Sequence, residues 1–126
     1  MATNNNYGHK RLVVGAHYGA IDFIVQRITA IIMAAYTVIL VIGLLALPFS
    51  FESWRLLFTF RIYTLPVGQL LATLAFLALA WHAWIGVRDI WIDYVKPVGV
   101  RLLLHLFTVL WLVGSVVYFA QSLWRI

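Results

Sequence analysis

One imidazole, His82, lies inside a stretch from Val67 to Val87 that contains no Asp, Glu, Lys or Arg. It precedes Arg88 by six residues, about 9 Å along a helix. An imidazole at that depth in an apolar medium is costly without a partner, so a functional role is the first hypothesis to weigh. Ala75, Ala78, His82 and Gly86 follow one another at spacings of three, four and four, which puts them on one helical face. A stripe of small residues admits a neighbouring helix, or a flat macrocycle, close to the backbone. Neutral imidazole is an axial ligand of haem b, and this face has both the ligand and the room. Plain helix packing, with His82 hydrogen-bonded to a neighbour, fits the same residues.

His105 is the rival ligand. It follows Arg101 by four residues in a later apolar stretch, at a depth similar to that of His82. Either the two clamp one haem within this chain, or a partner protein supplies the second ligand; spacing does not decide. His9 and His17 precede the first apolar stretch and read as surface residues, with His17 within reach of a site at the interface.

A polar cluster continues the His82 face through Gly86 and Asp89 to Asp93, provided the helix runs on past Arg88, and Tyr94 follows. A phenol at a membrane boundary can donate a hydrogen bond to a quinone carbonyl while its ring packs on apolar surface. A neighbouring carboxylate can orient that donor or pass protons. The same Asp-Tyr pair also suits a solvated helix end. Arg27 and Asp22 flank the first apolar stretch; the guanidinium is suited to haem propionates or a quinone pocket, and equally to an ordinary anchor at the cytoplasmic face.

These residues must be positioned by an all-α membrane protein. Of 126 residues, 64% are apolar and 10% charged, against about 25% charged in a soluble domain. Three windows predict spanning helices, Ile28 to Leu47, Val67 to Val87 and Leu102 to Trp124, within a single domain over 1–126. Each has about 20 residues, enough to cross a hydrocarbon layer of about 30 Å. Pro48 and Ser50 end the first. Trp54 to Phe60 suits a short interfacial helix, Pro66 precedes the second span where its missing N–H costs least, and Lys96-Pro97 breaks the chain before the third. Segment 1–27 is read as cytoplasmic, with an Asn-rich tail.

The nine basic residues of this chain, net charge +5, never form a block, which argues against nucleic acid as a partner. Lys10, Arg11, Arg27, Arg88, Lys96 and Arg101 fall on one side of the spans, and Arg55, Arg61 and Arg125 on the other. Six against three places the N-terminus in the cytoplasm and the C-terminus in the periplasm. Trp54 and Tyr63 on one side, and Trp81, Trp84, Trp91 and Tyr94 on the other, suit interfacial belts. There is no cysteine, which excludes disulfides, thiolate clusters and cysteine nucleophiles. No signal-peptide pattern is visible in the first 27 residues, and a bacterial inner membrane fits best.

The segment His82-Ala83-Trp84-Ile85-Gly86, followed by Asp93-Tyr94-Val95-Lys96-Pro97 and Arg101, resembles the hydrophobic membrane anchor family of succinate dehydrogenase. Asp22 to Ala30 is similar to that family's approach to its first helix. The resemblance covers nearly all of the chain after the tail. It implies that His82 is an axial ligand of haem b, with the opposing His from the partner anchor, a cytochrome b chain. It implies that Tyr94 hydrogen-bonds ubiquinone, that Asp93 is the adjacent acid of that pocket, and that Arg27 lies near the haem propionates and quinone. His105 falls outside the matching motif. Some relatives carry a His just before the Asp of the approach segment, where this chain has Ile21.

The resemblance further implies a flavoprotein subunit, an iron–sulfur subunit and the cytochrome b anchor as partners, with electrons from succinate passing through iron–sulfur clusters to quinone. Activity belongs to the complex, since the chain itself has no flavin or cluster motif. Three other readings compete: an anchor of a quinol:fumarate reductase, an unrelated b-type cytochrome using His82 and His105, and a small multidrug-type transporter. The last requires an acidic residue within a span, and none of the three spans has one.

Overall fold

The computed structural model describes residues 14–126, with side chains from Gly19 onward. Lys10, Arg11, His9, the Asn-rich tail and the side chain of His17 lie outside the described residues. Four helices make up the rest: α1 Val14–Ala46, α2 Phe51–Thr59, α3 Val67–Tyr94 and α4 Val98–Trp124. Three of them, α1, α3 and α4, are long and apolar enough to cross a membrane.

Each long helix exceeds its expected apolar window, for a local reason. The charged residues Asp22 and Arg27 are helical in α1, since charges outside an apolar layer are compatible with a continuing helix. The second span continues past Arg88 to Tyr94, and the break before the third is confined to Val95, Lys96 and Pro97. Pro97 is the N-cap of α4, a place where proline's missing N–H deprives no helical hydrogen bond. At 28 residues, α3 is about 42 Å long and outreaches a hydrocarbon core by about two turns.

The short segment predicted as an interfacial helix is α2. Ser50 caps it, its Oγ accepting from the Ser53 N–H at 3.1 Å, which satisfies one of the unpaired first-turn donors. A tight turn then joins Ile62 and Leu65 by two reciprocal backbone hydrogen bonds of 3.1 Å, with Tyr63 in the left-handed region at φ 56°. Gly68 opens α3 beneath α2, and its N–H donates to the Phe60 carbonyl at 2.9 Å. A Cβ here would stand 2.8 Å from the Phe58 carbonyl carbon and oxygen, backbone atoms that cannot swing away. Gly68→Ala therefore displaces α2 at a cost of roughly 1–3 kcal/mol. A lowered thermal midpoint for the detergent-solubilised protein is the expected reading, and an unchanged midpoint would contradict the close approach.

Helix α3 is the central element, with α1 and α4 packed against it. Both neighbours run antiparallel to it. From Thr29 through Gln26 to Asp22, the α3 partners of α1 advance from His82 to Gly86 to Arg88. On the other side, Trp91 Nε1 donates to Thr108 Oγ1 at 3.0 Å, Phe76 stacks on Phe119 at 4.1 Å, and Gln69 Nε2 donates to the Leu123 carbonyl at 3.1 Å. That last bond satisfies a carbonyl of the final helical turn, which has no partner within α4.

Few apolar side chains are buried: Ala72, Ala75, Ala78 and Ile85 on α3, and Leu123 on α4. The small-residue stripe is thus taken up by helix packing at Ala75 and Ala78. Large aliphatic side chains such as Ile31, Leu45, Leu103 and Leu110 face outward. In water such a surface would drive aggregation; in lipid it is the required exterior.

Candidate functional site

Beyond Ala78, toward the C-terminal end of α3, the α1–α3 seam opens. A pocket of about 580 Å³ is lined there by Gly19, Asp22, Phe23, Gln26, Arg27, Ala30, His82, Ile85 and Asp89. Two of the residues singled out from the sequence, His82 and Arg27, stand on its wall together. They come from different helices and are brought together by the antiparallel register.

His82 is half-buried. Its Nδ1 lies 3.1 Å from Oγ1 of the buried Thr29, and Nε2 has no hydrogen-bond partner among the described residues. Arg27 is held over the ring of Phe23, its guanidinium carbon 4.6 Å from the centroid. Stacking of this kind costs the guanidinium none of its in-plane donors, which stay available to a carboxylate. Arg88 closes the outer end of the seam by pairing with Asp22, and lies 3.6 Å from Asp89. A pair this exposed contributes on the order of 1 kcal/mol or less; its consequence is register, because it ties α1 to α3 about one and two-thirds turns beyond His82.

Tyr94 and Asp93 are placed elsewhere. Both are exposed at the C-terminal end of α3, and Tyr94 is 12 residues, or about 18 Å along the axis, from His82. They share an end of the molecule with the pocket and do not line it.

His105 occupies the opposite side of α3. Its ring meets Trp84 edge-to-face at 5.9 Å, and Trp84 is two residues from His82, or about 200° around the helix. Intrachain clamping of one haem by His82 and His105 is therefore disfavoured by geometry. Trp91, expected in an interfacial belt, also belongs to the α3–α4 seam through Thr108. Trp54 and Tyr63 are exposed as a belt requires.

Thr29 and Arg88 were not recognisable as site residues in the sequence alone. A threonine in an apolar stretch and an arginine at its end are common, and only the pairing of α1 with α3 gives them partners. The one available signal was Asp22 to Thr29, seven residues apart and hence on one face.

The donor set fits a haem. Among the described residues, no three His, Cys or carboxylate side chains gather around a common point. A haem would ask for less of the protein, since the macrocycle itself supplies most of the iron's donors and an imidazole can serve as a ligand. His82 has an unpartnered ring nitrogen at the pocket, and Arg27 offers a cation beside it for a propionate. Among the described residues these two side chains make one wall of such a site.

Residues 1–118 match the family of succinate dehydrogenase/fumarate reductase transmembrane subunits. The chain is also 38% identical over 107 residues to the succinate dehydrogenase hydrophobic membrane anchor subunit of Coxiella burnetii (strain RSA 493 / Nine Mile phase I), covering 82% of this chain and 86% of that one. With three apolar helices in sequence and a match over nearly its whole length, this chain belongs to the family of succinate dehydrogenase/fumarate reductase transmembrane subunits.

Proposed function

We propose that this chain anchors a bacterial succinate dehydrogenase in the cell inner membrane, holds one side of a haem b through His82, and contributes Tyr94 and Asp93 to a ubiquinone site. The observation that carries the haem assignment is the pocket between α1 and α3, where His82 and Arg27 converge from separate helices. The 38% identity to a succinate dehydrogenase anchor supports the choice of complex over a fumarate reductase.

When bound, the haem supplies a one-electron redox centre within the membrane. The chain's residues do the positioning. His82 would hold the haem iron through a ring nitrogen, and the second anchor, the cytochrome b chain, would supply another imidazole. Arg27 neutralises a propionate or borders the quinone pocket. Tyr94, at the aqueous end of α3, donates its hydroxyl to a quinone carbonyl, and Asp93 orients that donor or relays protons from water. The excess of Lys and Arg on this side supports a cytoplasmic position for this end and for the segments that carry Arg27 and Arg88. The soluble partners are the flavoprotein and iron–sulfur subunits, and the chain alone has no activity.

Mild-detergent purification through a tag on this chain tests the assignment. Three partners should co-purify, one carrying flavin and one carrying iron–sulfur clusters, together with a b-type spectrum. Recovery of the chain alone with a stable low-spin haem would instead indicate a self-contained cytochrome.

A further inference from the structure

The contact between Thr29 and His82 has a direction that proton counting determines. Thr29 Oγ1 has three polar neighbours: the Val25 carbonyl at 2.8 Å, the Gln26 carbonyl at 3.0 Å and His82 Nδ1 at 3.1 Å. A hydroxyl carries one hydrogen and two acceptor lone pairs. Carbonyl oxygens only accept, so the two nearest neighbours compete for that single hydrogen. The contact with the imidazole is then satisfied when Nδ1 carries a proton and donates it to the threonine oxygen. The neutral ring has its remaining lone pair on Nε2.

We propose that Thr29 is a positioning residue that fixes His82 as the Nδ1–H tautomer, presents Nε2 as the ligand nitrogen, and lowers the potential of the haem it binds. The proposal rests on the reading of His82 as an axial ligand. Acceptance of the Nδ1 proton makes the imidazole a stronger donor, which favours ferric over ferrous iron. The threonine is itself well held: it is 8% exposed, β-branched and stiff at χ1, and its hydroxyl is back-bonded to its own helix. The imidazole therefore cannot rotate about its ring axis without losing its only described partner.

Thr29→Val, nearly equal in shape, removes the acceptor and leaves the packing. In the purified complex, a potentiometric titration of the b-type bands should shift the ratio of reduced to oxidised haem at fixed potential about threefold to tenfold toward reduced. Tenfold corresponds to about 59 mV for one electron. The low-spin ferric resonance should broaden or move, because the ring is freer to rotate. Thr29→Ser, which keeps the oxygen, should return both readings toward the parent. Should Thr29→Val fail to assemble, Thr29→Ala gives the same comparison without the added methyl group.

Parental potential and resonance in the valine variant would overturn the role of Thr29. The companion variant His82→Ala separates that failure from a wrong ligand. If it loses the bands while Thr29→Val changes nothing, His82 is the ligand and Thr29 is only packing. If the bands persist in His82→Ala, the ligand assignment fails and the role of Thr29 fails with it.

Discussion

His82→Ala should abolish the b-type absorption bands of the assembled complex while all subunits remain membrane-bound. If His82 is the ligand, removing its side chain would leave the iron with no nitrogen donor on the α3 side. Among the described residues no other imidazole is at hand, since His105 lies across α3 against Trp84 and the remaining polar groups of the pocket are carboxylates, an amide and Arg27. The loss should be close to complete, because a low-spin haem needs two strong ligands and this variant would leave one. His105→Ala serves as the matched control: it removes a ring of the same kind from the same depth and should leave the bands in place. Equal losses in the two variants would point to assembly rather than ligation, and persistence of the bands in His82→Ala would remove the ligand assignment.

The second large effect belongs to Tyr94. Tyr94→Phe deletes one hydroxyl from an exposed residue at the end of α3, so the fold has little to lose. If the phenol binds the quinone carbonyl, its bond strengthens as negative charge develops on that oxygen during reduction. A hydrogen bond to a charged acceptor is worth about 1.5–3 kcal/mol, which predicts a ten- to hundredfold fall in kcat/KM for ubiquinone reduction, on the order of 1.4 kcal/mol per decade. Succinate oxidation with an artificial dye, which takes electrons before the membrane subunits, should be unchanged. Normal ubiquinone turnover in this variant would withdraw Tyr94 from the site. A parallel loss of dye reduction would indicate damage to the whole assembly.

What the sequence made legible follows from where the physics is local. The three long helices could be read because lipid demands apolar runs of a set length, whereas the short interfacial helix, expected over Trp54 to Phe60, starts at Phe51 because Ser50, read as the end of the first span, is its N-cap. Helix ends were less legible. Charges at Asp22, Arg27 and Arg88 stop an apolar window without stopping a helix, so α1 and α3 both run further than their windows. The continuation of α3 to Tyr94 was readable only as a condition, and the structure meets it.

The candidate site divides along the same line. His82 and Arg27 were chosen for what an imidazole and a guanidinium do, and the α1–α3 register brings them to one pocket. Thr29 and the Asp22–Arg88 pair have no meaning until that register is known. The small-residue stripe was ambiguous for a physical reason. Ala75 and Ala78 serve packing, Gly86 faces Gln26 of α1, and the same face opens to the pocket at His82, so the two readings apply to different positions of one face.

The three-residue link between α3 and α4 has a mechanical corollary. Helices joined so closely, and tied by Trp91 to Thr108 at one end and Gln69 to Leu123 at the other, form one antiparallel plate. Helix α1 reaches that plate through a longer path, across α2 and the Tyr63 turn. A parting of α1 from the plate would widen the spacing between Arg27 and His82, and the Thr29–His82 contact and the Arg88–Asp22 pair oppose it.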